Sequence, residues 1–567
     1  MTKLLEKMIE HKLWQQVDKE EVNLSDEQGG FRPHRSRFDL IFLVRCIQDH
    51  YHPRGRSRSS KRRQSPTRHL FAAFLDIKKA YDSVPHIKIV EVLRRLGVRE
   101  ELVRLVVDLL TNRYTTIYGK KVGVTKGVPQ GSPLSPLLFI LTMMQPLSVR
   151  MRQHGGGGAL LPGGLVFKEG FYADDVMLMA ETAEELQDML RVCERWAAEV
   201  GLEFNVPKCK LMVLTGPRLK QRLPELVLNG QSLRWVQEFK YLGFPIYAYN
   251  NTPKQLPVDL SILNDVLYPL APTLLPRGIN DFFLANRVDI LTTMVEGKVL
   301  HNSPMADTCF KDMDGRMNVW LGKVAGLPIH TTSATFLRCE LGVLPSQLVA
   351  ERNALYYLWH LRNETWFKDC LPSLQHLPPL SRLTGVLLDN NITLEEFHEY
   401  DNRENWHEVV KNAVLERAKS WYNTSTHTER LPNFEFIYRG RPYLREEYLA
   451  ELAHVAIEAR ADRLPGVPSA WDYNPCPFCE CASGMNGAHL LQCESLPLTL
   501  KETRDAMRGP LSVRAFTMKV LLCEPGELVK RALPFARKVF QAARRAVQGP
   551  LPPSSPQSDV AGEEFTT

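Results

Sequence analysis

Leu70-Phe-Ala-Ala-Phe-Leu-Asp-Ile77 and Phe171-Tyr-Ala-Asp-Asp175 are the two stretches from which the fold of this chain is read. The first is a short apolar run bounded by basic residues, of the length and kind of a buried strand, and it ends in a carboxylate. The second opens the later of two short strands expected at about 165–168 and 171–179, and it puts two more carboxylates inside a strand. An unpartnered carboxylate in such surroundings is costly to ionise, so Asp76, Asp174 and Asp175 call for compensation. Divalent metal fits best, since Mg²⁺ is hard, prefers oxygen ligands and is usually shared between one or two carboxylates and substrate phosphates. Two such ions roughly 3.5 to 4 Å apart activate a hydroxyl and stabilise a leaving pyrophosphate. An isolated Asp-Asp pair is more often surface decoration, so the surrounding sequence carries the weight.

Upstream, Leu4, Leu5, Met8, Ile9 and Leu13 recur at helical spacing, and Gln28-Gly-Gly-Phe-Arg-Pro-His-Arg-Ser36 interrupts the pattern as a loop before an apolar stretch from Leu40 to Ile47. Residues 52–69 are almost entirely Ser, Pro, Arg and Lys and read as a flexible basic insert: a solvated loop, a nuclear-import signal or a nucleic-acid contact. Downstream, helices are expected from Pro85 to Leu96 and Glu100 to Leu110, and a hairpin from Tyr114 to Val124. The loop Gly127-Val-Pro-Gln-Gly-Ser-Pro133 leads into an apolar helix to about Arg150. Thr182-Ala-Glu-Glu185 is a capping box and Gly201 a C-terminal stop for the next helix, and a strand follows at Lys210 to Leu214. Alternation of strands and helices to about Ile246 argues an α/β or α+β unit, and from Pro257 to about Arg460 the period is mainly helical.

The chain has 567 residues, 44% hydrophobic and 24% charged, which is the balance of a folded protein of two to four units. Its net charge of +7 is only a mild hint of a polyanionic partner. Eleven cysteines behind an N-terminus with no apolar leader argue against a secreted disulfide framework. The longest apolar run, around Pro136 to Leu147, is too short for a bilayer, and no membrane partner is expected.

Six motifs occur in order: Gln28-Gly-Gly-Phe-Arg-Pro33, Phe74-Leu-Asp-Ile-Lys-Lys-Ala-Tyr-Asp82, Gly127-Val-Pro-Gln-Gly-Ser-Pro-Leu-Ser-Pro136, Phe171-Tyr-Ala-Asp-Asp175, Asn205-Val-Pro-Lys208 and Phe239-Lys-Tyr-Leu-Gly243. Together they resemble the reverse transcriptases of non-LTR (LINE-type) retrotransposons. The resemblance implies an α+β right-hand polymerase, with fingers and an antiparallel palm sheet over 1–250, a helical thumb over 251–345, and then a mostly helical C-terminal region. The implied activity is RNA-directed DNA synthesis from a primer 3′-hydroxyl at a chromosomal target. Its partners would be an RNA template, a DNA primer or target and dNTP, after cytoplasmic synthesis and entry into the nucleus. The oligomeric state is not implied.

By the same resemblance Asp76 and Asp174 bind two Mg²⁺ ions, or Mn²⁺ in their place. Asp175 supports them, and Ile77 lends a backbone carbonyl. Tyr81 sits under the sugar of the incoming nucleotide, where its ring excludes a 2′-hydroxyl; ordinary packing is the other reading. Gln130 contacts the nucleotide and template base, and Gly131 lets the backbone approach. Lys208 is the candidate acid for pyrophosphate, with Lys210 a close rival, and Arg32 and Arg35 are assigned to template phosphates. In the family a fingers segment with an Arg-Pro-Ile motif precedes the first helix, and this chain is expected to lack both it and an endonuclease. The alternative function is a catalytically impaired or domesticated nucleic-acid-binding descendant. Tyr81 argues against an RNA-dependent RNA polymerase.

In the C-terminal half, residues 346–468 are expected to be helical without an evident role. Within 469–500, Cys476-Pro-Phe-Cys479 with His489 and Cys493 has spacing suited to one tetrahedral, structural Zn²⁺, with Cys481 a rival ligand. Within 501–549, Lys530-Arg531, Arg537-Lys538 and Arg544-Arg545 repeat every seven residues and stack along one helix side, as a solvated face or a nucleic-acid contact. The tail, 550–567, is expected to be disordered.

Overall fold

The computed structural model describes residues 2–19, 24–51, 69–111, 114–118, 120–123, 126–215, 223–248, 261–275, 284–305, 310–325, 334–423, 478–479, 487–513, 516–517, 532, 534–539 and 542. The basic insert before His69, Cys476, Cys481, the Lys530-Arg531 and Arg544-Arg545 pairs and the tail lie outside them. The chain divides into two compact units, one of residues 1–256, 304–307 and 354–407, the other of 257–303, 308–353 and 408–567. No helix among the described residues is long and apolar enough to cross a membrane.

In the first unit, helices α1 (Thr2–Lys19) and α2 (Arg37–Tyr51) precede strand β1 (Leu70–Leu75). Then come α3 (His86–Arg95), α4 (Glu100–Thr111) and the hairpin of β2 (Tyr114–Ile117) and β3 (Lys120–Gly123). The long apolar helix is α5 (Ser135–Phe139), a π turn over Ile140–Met144, and α6 (Gln145–His154). Pro146 explains the wide turn: it has no N–H to continue the ladder, and the Gln145 N–H reaches back five residues to the Ile140 carbonyl. Strands β4 (Ala159–Leu160), β5 (Val166–Phe167), β6 (Glu169–Tyr172) and β7 (Asp175–Ala180) lead into α7 (Ala183–Val200) and β8 (Lys210–Thr215). Short strands β9 (Val227–Leu228), β10 (Gln231–Ser232), β11 (Arg234–Trp235), β12 (Glu238–Tyr241) and β13 (Phe244–Tyr247) close this half of the chain.

The main sheet has the order β11-β8-β1-β7-β6, antiparallel except where β11 runs parallel to β8. β1 is buried along its whole length, as a central strand covered on both faces must be. Helices α3 to α7 pack into the core on one face. On the other, Phe74 stacks on Phe239 of β12 at 4.4 Å between ring centroids, and Leu40 of α2 reaches Gly170. Both ends of α7 are capped, the first by one half of the expected capping box: Thr182 Oγ1 accepts the Glu185 N–H at 3.1 Å, and Gly201 ends the helix at φ 74°. Trp196, buried on α7, donates to the Met143 carbonyl at 3.1 Å and so ties the helix to the π turn.

One expectation is overturned. The stretch 171–179 is not a single strand, because the chain reverses at Ala173 and Asp174 and pairs β6 with β7, Tyr172 opposite Asp175. Ala173 adopts φ 56°, a left-handed conformation that alanine does not advertise in sequence. Two adjacent carboxylates at the tip of a hairpin stay near water, which a continuous buried strand would deny them.

Further helices are α8 (Ser261–Leu267), α9 (Ala271–Leu274), α10 (Leu284–Lys298), α11 (Lys311–Ala325), α12 (Ala334–Leu341), α13 (Ser346–Asn363), α14 (Leu371–Leu374), α15 (Pro378–Asp389), α16 (Leu394–Glu399) and α17 (Arg403–Asn423). Residues 354–407 belong to the first unit, where α15 packs on α2. The second unit is helical among its described residues and is knit by Asp314, whose Oδ1 accepts from Arg338 at 2.8 Å and from the N–H and hydroxyl of Ser346 at 3.0 and 2.6 Å.

A carboxylate site at the end of the sheet

The β1–β7 register aligns Leu75 with Val176, so the next residue of each strand, Asp76 and Asp175, emerges at the same end of the sheet beside the hairpin tip that carries Asp174. Asp76 is fixed through its backbone: its carbonyl accepts the Asn205 N–H at 2.8 Å, and its own N–H donates to Cys209 Sγ at 3.4 Å. Burial raises the pKa of Asp174, and the Asp76 charge adds to the rise, against its own backbone N–H and Lys208. Asp175 is pushed up to about 6, by burial first and then by Asp174 and Asp76. Lys208 Nζ lies 3.8 Å from Asp76 Oδ2 and is largely exposed. Its rival Lys210 donates instead to the Pro207 carbonyl. Three converging carboxylates, two of them raised by burial and by neighbouring charge, form an oxygen-rich donor set that fits a hard divalent cation.

The hairpin tip is held by the loop over 28–36. Gln28 bridges to Phe171 in parallel, Gly29 donates to the Phe171 carbonyl at 2.8 Å, and Phe171 donates to the Glu27 carbonyl at 2.9 Å. Gln28 Oε1 then accepts both the Gly30 N–H at 3.0 Å and the Ala173 N–H at 3.2 Å. A Cβ on Gly30 would stand 2.5 Å from the Ala173 nitrogen, so only glycine permits this approach. Gln28 is the residue that sequence reading missed. Its signal was the Gln-Gly-Gly order itself, an amide followed by two residues without side chains.

Tyr81 begins a one-turn 3₁₀ helix, Tyr81–Ser83, and stacks on buried Phe139 at 5.1 Å and 12°. Its pKa is raised to about 12 by burial and then by the Asp174 charge and Tyr172. The 127–131 loop is anchored against the same segment, with Val128 donating to the Tyr81 carbonyl at 2.8 Å and Gly127 to the Val84 carbonyl at 2.7 Å. Gln130 and Gly131 are exposed at its tip, and Gly131 (φ 82°) faces open space. Ile77 bridges to Phe204 beside Asp76. Arg32 and Arg35 are engaged within the protein. Arg32 donates to the Ser25 carbonyl. Arg35 pairs with Asp26 at 2.8 Å, donates to the Glu364 carbonyl at 3.0 Å and lies over Trp366.

Residues 1–246 match the family model described as reverse transcriptase (RNA-dependent DNA polymerase). The chain is 32% identical over 336 residues to the retrovirus-related Pol polyprotein from type-1 retrotransposable element R2 of Nasonia vitripennis, an alignment covering 52% of this chain and 32% of that protein. Residues 1–246 are thus similar to the reverse transcriptase domains of non-LTR retrotransposons. The Pol polyprotein of the type-2 element R2DM of Drosophila melanogaster is 30% identical over 242 residues, 40% of this chain and 21% of that one. The chain therefore spans a third or less of these two relatives. Telomerase from Candida albicans overlaps 74% of this chain and 57% of its own at a TM-score of 0.33 and 11% identity, too distant to assign a fold.

Away from the reverse transcriptase domain, Cys479, His489 and Cys493 offer ligand atoms all within 4.8 Å of one another. Cys479 Sγ lies 3.3 Å from His489 Nε2, and buried Arg504 donates to the Cys493 carbonyl at 3.0 Å. Three soft or borderline donors at that spacing fit Zn²⁺.

Proposed function

We propose that this chain is the RNA-directed DNA polymerase of a non-LTR retrotransposon, a nucleotidyltransferase that extends a DNA 3′-hydroxyl on an RNA template at the target site. The observation that carries the reading is the convergence of Asp76, Asp174 and Asp175 at one end of the sheet, from strands about 100 residues apart in sequence. These three would hold two Mg²⁺ ions, or Mn²⁺, which when bound supply Lewis-acid activation of the attacking hydroxyl and charge for the departing pyrophosphate. Ile77 offers its carbonyl at the same edge. Tyr81, backed by Phe139, forms a rigid floor under the nucleotide sugar and excludes a 2′-hydroxyl by contact. Gln130 and Gly131 present an amide and bare backbone to the nucleotide and template base. Lys208 is placed to give its proton to pyrophosphate, since it is exposed and faces Asp76, whereas Lys210 is turned to Pro207.

In this reading Arg32 and Arg35 shape the template side by holding the 28–36 loop, and phosphate contact is secondary. The helical region over 251–345 serves as the thumb, and action on chromosomal DNA implies a nuclear location. Cys479, His489 and Cys493, with Cys476 as fourth ligand, form a closed structural zinc site that aids nucleic-acid binding. Metal analysis of protein purified without chelator is expected to give one zinc per chain, reduced to near zero by Cys493→Ser, with extension on saturating primer–template still measurable.

Primer extension on a homopolymer RNA template with Mg²⁺ and labelled dNTP tests the function. Template-dependent incorporation that requires both the metal and the RNA supports it. Binding of the same primer–template without incorporation under any divalent ion would reassign the chain to the nucleic-acid-binding alternative.

A further inference from the structure

A buried charged network in the first unit lies where α2 begins, apart from the carboxylate site. Ser36 and Asp39 together cap the helix: Ser36 Oγ accepts the Phe38 N–H at 3.2 Å, and Asp39 Oδ2 accepts the Ser36 N–H at 2.9 Å. Asp39 is completely buried, yet its carboxylate has further partners from a segment more than 300 residues later. Tyr357 hydroxyl donates to Oδ1 at 3.3 Å, and His360 Nε2 lies 3.0 and 3.2 Å from the two oxygens. The other ring nitrogen, Nδ1, is 2.6 Å from Glu364 Oε2. Glu364 in turn meets His34 Nδ1 at 3.0 Å.

An imidazole with a carboxylate at each nitrogen is a statement about charge. A neutral ring has one N–H and one lone pair, so one carboxylate would face a lone pair in the interior; only the imidazolium donates to both. Burial works against that charge, but the bonds to Asp39 and Glu364 outweigh it and raise the pKa of His360 above 6.5. Glu364 is correspondingly lowered, with burial opposed by His360 and His34.

The network ends on the loop that holds the catalytic turn. His34, Arg35 and Ser36 belong to the same loop as Gln28, whose amide oxygen fastens Gly30 and Ala173. We propose that His360 is a positioning residue: as an imidazolium clamped between Asp39 and Glu364 it fixes the 28–36 loop, and through Gln28 it fixes the turn that presents Asp174 and Asp175. The geometry stands by itself, while its effect on synthesis rests on the polymerase reading of the carboxylate site. It also gives residues 354–407 a role, since they supply one half of a clamp whose other half is in the reverse transcriptase domain.

The pH dependence has a definite sign. A histidine whose folded pKa is raised contributes its full stabilisation below its ordinary value of about 6.5 and loses it as pH climbs through the raised value. The groups around it are Asp39 on α2, Tyr357 on its own helix, Glu364 just beyond that helix, and His34 and Arg35 on the loop. From α17, Arg403 lies 3.9 Å from Glu364, and His407 also feels Glu364. Above the transition two carboxylates face an uncharged ring, and the clamp opens.

The test uses the full chain as wild type, His360→Gln and Glu364→Gln. Hydrogen exchange over peptides spanning 24–36 and 169–180, corrected for intrinsic rates, and primer extension are measured on the same preparations from pH 6 to pH 9. At pH 6, His360→Gln is expected to exchange about tenfold faster at Gly29, Gly30 and Ala173, the effect of about 1.4 kcal/mol of lost protection, and to extend about fivefold more slowly. As pH rises the wild type converges on His360→Gln, and Glu364→Gln shifts that convergence to lower pH. A packing role alone would leave a gap that does not close with pH. Equal protection of wild type and His360→Gln at pH 6, or a gap unchanged to pH 9, overturns the proposal. Should His360→Gln fail to fold, Glu364→Gln carries the same test through its shifted midpoint. If no protein extends a primer, the polymerase reading fails while the exchange result still decides the clamp.

Discussion

The hairpin of β6 and β7 carries a carboxylate problem at each end, and the two ends solve it differently. At the turn, Asp174 and Asp175 are raised by burial and by Asp76, beside the Lys208 ammonium and an exposed 127–131 loop. At the far end, Glu169 is completely buried, both its oxygens lack a hydrogen-bond partner, and burial followed by the Glu27 charge pushes it up to about 8. The larger displacement is therefore at the end with no chemistry. A perturbed carboxylate marks a site only when others converge on it and a ligand can reach it. Glu169 has the Glu27 charge beside it but is sealed from any ligand, and it survives in the interior by holding its proton.

The sharpest way to break that contrast is to neutralise each end. Asp76→Asn, Asp174→Asn or Asp175→Asn keeps the shape and removes one anionic oxygen. Extension is expected to fall to background, a loss of roughly 10³-fold or more, while RNA binding measured by filter retention stays near the wild-type level because affinity rests on phosphate contacts. An Asp174→Asn protein that extended at the parental rate would end the assignment.

A second blow falls on the support and not on the carboxylates. Gly30→Ala places a Cβ 2.5 Å from the Ala173 nitrogen and 3.0 Å from the Tyr172 carbonyl carbon, both backbone atoms that a side chain cannot push aside cheaply. The turn must shift, and a displacement on the order of 1 Å is expected to cost about 10²-fold in extension. Single-turnover rates would show the loss in chemistry, with primer–template affinity preserved.

Tyr81→Ala tests specificity. Its ring is locked against Phe139, so the proposed discrimination is steric, and shrinking it is expected to raise rNTP incorporation relative to dNTP by about 10-fold or more in competition. An unchanged ratio in an active enzyme would return Tyr81 to simple packing.

How much of this was legible in sequence differs by element. Asp76 at the end of an apolar run and the α7 helix with its two caps were readable because local chemistry specifies them. The turn at Ala173 was not, since a left-handed alanine inside an apolar stretch has no local signature and the reversal is imposed by pairing with β1 and by Gln28. Arg35 was assigned to template phosphate by the resemblance alone, and its neighbours Glu364 and Trp366, more than 300 residues away, are announced by no local pattern. The same is true of His360, an ordinary helix residue in sequence that becomes a bridge between two carboxylates only in the fold.

The smallest effect is expected at the sealed end of the hairpin. Near pH 7 Glu169 already carries its proton, so Glu169→Gln should leave extension within about twofold of wild type, in contrast to every substitution at the turn. Stability separates them by pH. Because the folded state keeps the proton between 4.5 and about 8 whereas the unfolded chain has released it, wild-type stability must fall as pH rises across that window. Glutamine has no proton to lose, so its melting temperature relative to wild type should rise by roughly 5 °C between pH 5 and pH 9, less whatever the buried amide costs at both pH values. A constant difference across that range would mean that Glu169 is ionised in the fold and paired with Lys168 or Arg152. The two ends of the hairpin would then be alike after all.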